Sequence, residues 1–274
     1  MNATSTNAAP VSLREAACAA WLEAGVDRKL SLVDALPKAD EARDFTAWPQ
    51  NALTPGRPER PRLVEPAAVE RRSLSRPEGR AALIHALAHI EFNAVNLALD
   101  AIWRFAGLPA DYYADWRKVA TEEAMHFGLL RQHLADLDYQ YGDFPAHDGL
   151  WDMARRTAHD SLARMALVPR VLEARGLDAS PGIKARLAQA GDARGAEIVQ
   201  IILDDEIGHV AIGTRWFQWL CAARGVDADS TFQDLLAEYS TAPIRSAPNV
   251  AARKAAGFSD AEIAWLSAAT RKAR

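Results

Sequence analysis

Two Glu-x-x-His tetrapeptides, Glu123-Ala-Met-His126 and Glu206-Ile-Gly-His209, each follow a lone glutamate at nearly the same distance: Glu91 by 32 residues and Glu173 by 33. Residues three apart share one helix face, so each tetrapeptide offers a carboxylate and an imidazole to one cation. Two more helices, each adding one carboxylate, would complete the donor set of a dinuclear metal site inside four helices. One Glu-x-x-His arises by chance roughly 0.4 times in a chain of this length. Two at matched depth, with matched partner glutamates, form a pattern.

Charge arithmetic points the same way. Four ionised glutamates buried on apolar faces would each cost several kcal/mol or more, on the order expected for unpaired ions. Two divalent cations cancel four carboxylates, and two neutral imidazoles complete the set. Helical phase puts the acids on such faces. Glu91 shares its stripe with Ile84, Leu87, Ala94, Ala98 and Ile102, and Glu123 with Trp116, Val119, Phe127, Leu130 and Leu134. Glu206 lies with Val199, Ile202, Val210, Gly213 and Phe217. Glu173 has a weaker stripe of Leu162, Ala166 and Pro169, whose proline should kink its helix. The six donors should converge on a volume able to hold two metals about 3.5–4 Å apart. The small residues Ala94, Ala98, Ala166 and Gly213 are read as leaving room beside them.

The elements that must position these residues follow from the spacing. Glu91 and Glu123 at equal depth on antiparallel neighbours require a turn midway, where Gly107-Leu108-Pro109 stands. In the second half, the run Gly176 to Gly182 with Pro181, and then Gly191-Asp192, predict breaks with a short extra helix between the third and fourth bundle helices. The segment Tyr139 to His147 is expected to carry the chain back, extended, for a parallel third helix. Helices are also expected over Ser12–Leu36 with a break at Gly25, over Asp227–Ala242, and over Ser259–Lys272, the last opened by Ser259 and Glu262 as a capping box. Pro49, Pro55, Pro58, Pro61 and Pro66 predict an extended strap. Its arginines, Arg57, Arg60, Arg62, Arg71, Arg72, Arg76 and Arg80, are interspersed with Glu59, Glu65, Glu70 and Glu78, which favours surface ion pairs over a nucleic-acid patch.

Three stretches carry a family resemblance: Pro77 to Glu91 (PEGRAALIHALAHIE), Tyr141 to Trp151 (YGDFPAHDGLW) and Leu172 to Asp178 (LEARGLD). With the six-donor pattern, they make the chain similar to the ferritin-like superfamily. More narrowly, residues 40–260 resemble a bacterial family of ferritin-like domain proteins of uncharacterised function. The resemblance implies an all-α, ferritin-like four-helix bundle with a long crossover. It also implies terminal ligation by Glu91 and Glu173, bridging by Glu123 and Glu206, and one metal each for His126 and His209. Glu122 and Asp205, one residue before the helix-two and helix-four glutamates, would orient the histidine of the opposing helix by accepting its other N–H, as in similar di-iron proteins.

The implied cofactor is two iron ions (Fe2+/Fe3+), with manganese or a mixed Mn/Fe pair compatible with the same ligands. The implied activity is that of a non-haem di-iron oxidoreductase activating dioxygen to hydroxylate or oxidise a small organic molecule, with an electron-donor reductase as a possible partner. The alternative is iron or peroxide handling, as a ferroxidase or rubrerythrin-like peroxidase, although no rubredoxin-like cysteine quartet is present. A metal-free structural bundle is the third reading, disfavoured by the charge arithmetic. No catalytic side chain beyond the ligands is assigned. Arg170, one turn before Glu173, is read as pairing with a core acid or contacting an anionic substrate.

Composition bounds the rest. The chain has 274 residues, 49% of them hydrophobic, enough for one sizeable core, and its net charge of −4 gives no drive toward nucleic acid or anionic membrane. Cys18 and Cys221 form no redox or metal motif. The start lacks the basic and apolar runs of a signal peptide, so a cytoplasmic location is expected. Ala81–Leu99 is read as a core helix rather than a membrane span. The expected organisation is a disordered tip (1–10), N-terminal helices and strap (11–76), the di-metal bundle (77–222) and a C-terminal helical extension (223–274).

Overall fold

The computed structural model describes residues 12–38, 52–70, 72–239 and 247–272, with side chains up to residue 268. The tip at 1–10, Pro49 and Arg71 of the strap, and residues 240–242 of the predicted helix lie outside them. Among the described residues the chain is all-helical, and its β content is one isolated parallel bridge, Leu63 to Ala146.

Two short helices open the chain, α1 (Leu13–Leu22) and α2 (Val26–Asp34). Ser12 caps α1 through a full capping box with Glu15. The two helices pack on α3 (Pro77–Arg104) and α4 (Ala110–Asp136) respectively. Pro77 starts α3 at the position where a missing N–H costs nothing, and Gly107 at φ +73° turns the chain into α4. The described part of the strap is extended as its prolines require, apart from a 3-10 turn at Pro66–Ala68. Val64 N–H donates to Ala146 (2.8 Å), Gly56 N–H to Trp21 (2.9 Å), and the Trp151 indole to Leu53 (2.7 Å), so the strap lies over α1 and the crossover. Arg72 pairs locally with Glu70 and Glu78, whereas Arg57 reaches Asp148 at the start of the helix Gly149–Arg156.

Directions follow from cross-helix contacts. Tyr112 of α4 donates to Ala101 of α3, and farther along α4 His126 meets Glu91 of α3, so α3 and α4 are antiparallel. The fourth long helix, α8 (Ala193–Arg224), runs antiparallel to α4, because residues 122 and 126 meet residues 209 and 205. The remaining bundle element is composite: α6 (Ser161–Leu167), a π turn (Val168–Glu173) and α7 (Ala174–Gln189). It contacts α8 at Asp160 to Arg224, Arg170 to Thr214 and Lys184 to Gln200, and so runs parallel to α4.

The crossover is longer than the expected span Tyr139–His147. After an irregular stretch it inserts α5 (Gly149–Arg156), and the third bundle element starts only at Ser161, capped by Asp160. Trp151 explains the insertion: it is buried beside Trp21, so α5 has an apolar face that must dock on the bundle end.

The second correction concerns Gly176–Gly182. The sequence suggested breaks there and a short extra helix, yet α7 runs unbroken through Pro181 to Gln189. A proline inside a helix leaves the carbonyl four residues back without its N–H. Here that carbonyl belongs to Leu177, and it accepts from the Asn249 side chain (3.2 Å). Asn249 caps α10 (Val250–Ala255), a helix that sequence reading missed. Nearby Arg253 pairs with Asp178 and donates to the Ala174 carbonyl, so the C-terminal extension supports α7 from outside. Gly191 at φ +80° and the N-cap Asp192 do end the segment as a tight α7–α8 turn. Beyond α8 lie α9 (Ala228–Glu238) and α11 (Asp260–Lys272), with the Ser259 and Glu262 capping contacts in place.

By length and composition α3 alone among the described helices would suffice to cross a membrane, but most of its residues are buried by protein. Cys18 and Cys221 are both buried and unpaired.

Candidate metal centre

Four helical elements bring the predicted donors together. Glu91 comes from α3, Glu123 and His126 from α4, Glu173 from the end of the π turn, and Glu206 and His209 from α8, and all six are buried. Ligand atoms of Glu91, Glu123 and His126 lie within 4.8 Å of one another, as do those of Glu123, Glu206 and His209. Glu123 belongs to both groups and stands between them. Glu206 belongs to the second group, and Glu173 to neither.

Both imidazoles face the carboxylates with Nδ1. His126 Nδ1 lies 3.4 Å from both Glu91 and Glu123, and His209 Nδ1 lies 3.0 Å from Glu123 and 3.1 Å from Glu206. The opposite nitrogens point to acids on the other helix: His126 Nε2 to Asp205 of α8 (3.0 Å), His209 Nε2 to Glu122 of α4 (2.9 Å). The two contacts are reciprocal because α4 and α8 are antiparallel. Each acid, one residue before a cluster glutamate, sits one position around its helix and reaches the neighbour's histidine.

Glu173 is reached differently. Pro169 cannot donate to the α-helical ladder, and the chain widens into a π turn that ends at Glu173. The turn needs room on α8. A Cβ on Gly213 would stand 2.4 Å from Pro169 Cβ and Cγ, so Gly213 admits the proline ring and does not line open space as the sequence suggested.

Electrostatics follow from burial without basic partners. Among the described residues, none of the four glutamates makes an ion pair with arginine or lysine; Glu91, Glu123 and Glu206 have His126 and His209 as their charged partners. Burial and the Glu123 charge push Glu91 well above the carboxylate range, and burial with the charges of Glu206 and Glu123 does the same to Glu173. Burial also raises Glu206. For Glu123, burial works upward, but the His209 charge and hydrogen bonds from both histidines hold it below the usual range. Burial opposes protonation of His126, yet Glu123 and Glu91 outweigh it and raise the imidazole to about 11. Outside the cluster, the His209 hydrogen bond draws Glu122 down to about 2. The carboxylates thus pull cationic charge toward themselves.

The donor chemistry fits a pair of divalent cations. Three carboxylates and two imidazoles come together in two overlapping groups, each imidazole is already satisfied on its far side, and Glu173, on the wall of the same cavity, has Oε2 buried with no hydrogen-bond partner.

A cavity of about 600 Å³ opens on this cluster, and Glu91, Glu123, Glu173 and Glu206 form part of its wall. Ala94 lines it; Ala98, Ala166 and Gly213 do not, because they are packed in the core. Three other histidines serve the scaffold. His85 accepts from Gly142 N–H, His89 bonds the Tyr141 hydroxyl, and His133 bonds Asp192. Arg170 is the core-acid case: it pairs with Glu262 of α11 and lies over the rings of Phe217, Phe232 and Phe258. Sequence spacing missed the cavity walls contributed by α5, because α5 itself was missed.

Fold and cluster together define an all-helical protein with buried glutamate–histidine groups able to hold metal. The chain belongs to the family described as "Protein of unknown function (DUF455)", whose model matches residues 12–264. It is 51% identical over 216 residues to an uncharacterized protein of Haemophilus influenzae (strain ATCC 51907 / DSM 11121 / KW20 / Rd), covering 76% of this chain and 75% of that one. No solved structure matches it.

Proposed function

We propose that this protein is a ferritin-like, non-haem di-iron oxidoreductase that uses dioxygen to hydroxylate or oxidise a small organic molecule. The observation that carries this reading is the coincidence of the donor cluster with the cavity, whose wall includes all four cluster glutamates. Storage or simple oxidation of iron needs a path for ions and has no use for a large apolar chamber. The antiparallel α3–α4 pair, the crossover and the parallel third element support a ferritin-like arrangement.

Glu91, Glu123, Glu173, Glu206, His126 and His209 would hold the metals, with Glu123 placed to serve both. When bound, iron at such a carboxylate-rich site supplies redox chemistry with dioxygen. The chain's own work is positional. Glu122 and Asp205 accept from the histidine Nε2–H groups, fixing each ring with Nδ1 toward the cluster. Apolar side chains such as Leu87, Val199 and Ile202 exclude water from the reacting volume and hold the substrate against the carboxylate wall.

The test combines metal analysis and Mössbauer spectroscopy of the iron-loaded protein with oxygen consumption against candidate metabolites. Two irons per chain and a hydroxylated or oxidised organic product support the proposal. Ferrous or peroxide turnover with no organic product from any candidate replaces it with iron or peroxide handling.

A further inference from the structure

The cavity also carries information about what it admits. Its apolar walls include Leu87, Ile90, Ala94, Met153, Val199 and Ile202, from α3, α5 and α8. Its volume of about 600 Å³ lies within the range of pockets that enclose a whole small molecule. Apart from the cluster glutamates, its ionisable and hydroxyl lining consists of Arg156, Arg175, His147, Ser180 and Asp152.

That set is rich in donors. Arg156 is exposed but held in place: one N–H donates to the Tyr239 carbonyl (2.7 Å), and its guanidinium lies 5.2 Å from the Tyr239 ring centre. Among the described residues it makes no ion pair, and its other N–H groups remain for a ligand. His147 Nδ1 accepts the backbone N–H of Gly149 (3.2 Å), which places the neutral ring's proton on Nε2 and makes that nitrogen a donor. Asp152, the opposing acid, is already bonded to Arg155. Donors set beside apolar walls select a molecule with an acceptor-rich, negative end and a greasy body.

We propose that the cavity takes an amphipathic organic anion, with a carboxylate or phosphate head bound by Arg156, Arg175 and His147 and an apolar body along the α3 and α8 walls. This rests on the metal-site reading in one respect: the glutamate wall must be charge-neutral when the ligand is bound. A neutral or cationic apolar substrate would offer no charged acceptor to the Arg156 N–H groups that Tyr239 does not take, and a polymer would exceed a cavity of about 600 Å³.

The experiment measures binding by isothermal titration calorimetry, on iron-loaded protein and on chelator-treated protein, with metal content determined in parallel. The probes are decanoate, decyl phosphate, decanol and decylamine. Decanoate, decyl phosphate or both should bind at least tenfold more tightly than decanol and decylamine, and the two anions' relative affinities distinguish a carboxylate from a phosphate head. Arg156→Gln and Arg175→Gln should each weaken the preferred anion about tenfold and leave decanol unchanged. Ile90→Trp, at a half-exposed wall position, should weaken every probe; it guards against reading a folding defect as loss of charge recognition, as do matched melting temperatures. Equal affinity for decanol and both anions, unchanged anion affinity in both arginine variants, or binding of no probe overturns the inference. Metal bound without anion selectivity overturns this inference alone. Arginine-dependent anion binding to a protein that takes up no metal overturns the metal reading alone.

Discussion

Two clusters of buried charge sit in the same bundle and are closed in opposite ways. Asp100 of α3 is fully buried, but Arg104 grips both its oxygens and Arg164 pairs with it. Arg164 in turn donates to Thr157 (2.8 Å) and the Ala154 carbonyl (2.6 Å). Nine residues earlier on the same helix, Glu91 stands with Glu123 and His126, and Glu123 continues the cluster to Glu206 and His209, with no arginine or lysine among the described residues paired to these glutamates. The chain plainly can supply buried cations: Arg253 meets Asp178 and Arg170 meets Glu262 in the same way. Leaving four carboxylates without them separates a structural cluster from one that fits cations from solution.

The largest expected effect breaks the first cluster. Asp100→Ala leaves two arginines without their buried acid and should cost about 3–5 kcal/mol in denaturant unfolding. Glu173→Gln in metal-free protein should cost less than about 1 kcal/mol, because burial and the charges of Glu206 and Glu123 already favour the neutral carboxyl that glutamine mimics. If the two losses are equal, the clusters do not differ in kind.

Metal addition should act on the second cluster only. Ferrous or manganous ion at a hundredfold excess over its dissociation constant should stabilise the wild-type chain by about 2.7 kcal/mol. The rise in melting temperature should vanish in Glu123→Gln, whose side chain serves both halves of the cluster, and persist in Arg253→Lys. Equal melting temperatures with and without metal would merge the two clusters into one class.

The aim of Glu173 can be tested through its turn. Gly213→Ala, forced against Pro169, should cost about 1–3 kcal/mol by overpacking and also weaken metal binding. Gly128→Ala in α4 meets nothing within 4 Å and should gain up to about 1 kcal/mol. The same sign for both would refute the close approach at Gly213.

The histidines give the finest comparison. His85 and His89 are buried away from the glutamates, and burial lowers both to about 4, whereas the carboxylates raise His126 to about 11. A folded-state value below the unfolded one means the unfolded chain binds more protons. The stability from His85 and His89 is therefore complete above about pH 6.5 and lost as pH falls toward 4, about 1 kcal/mol for each between pH 7 and 5.5. Thermal melts across that range should show this slope, reduced in His89→Gln. A flat profile would mean that these rings are not held neutral.

Much of this was legible from spacing. Glu91, Glu123, Glu206 and both histidines stand on regular helices, where phase alone determines which side chains share a face, and the Gly107–Pro109 turn reads directly from backbone preferences. The partnership of Glu122 and Asp205 with the opposing histidines was foreseen from resemblance to similar proteins. α5 and α10 were not legible: each is short, and its helicity depends on docking, α5 through Trp151 and α10 against α7.

By itself the sequence determined the helical class and the positions of the candidate glutamates and histidines, because these depend on residue type and on periodicity along one chain. Only the tertiary structure decided that Pro181 stays inside a helix, since the Asn249 amide that satisfies Leu177 lies 72 residues away in the chain. It also decided that Gly213 is a seat for Pro169 rather than open space, that Glu123 alone reaches both groups, and that a cavity meets the carboxylates. Periodicity assigns a residue to a face, but what that face meets depends on elements far away along the chain.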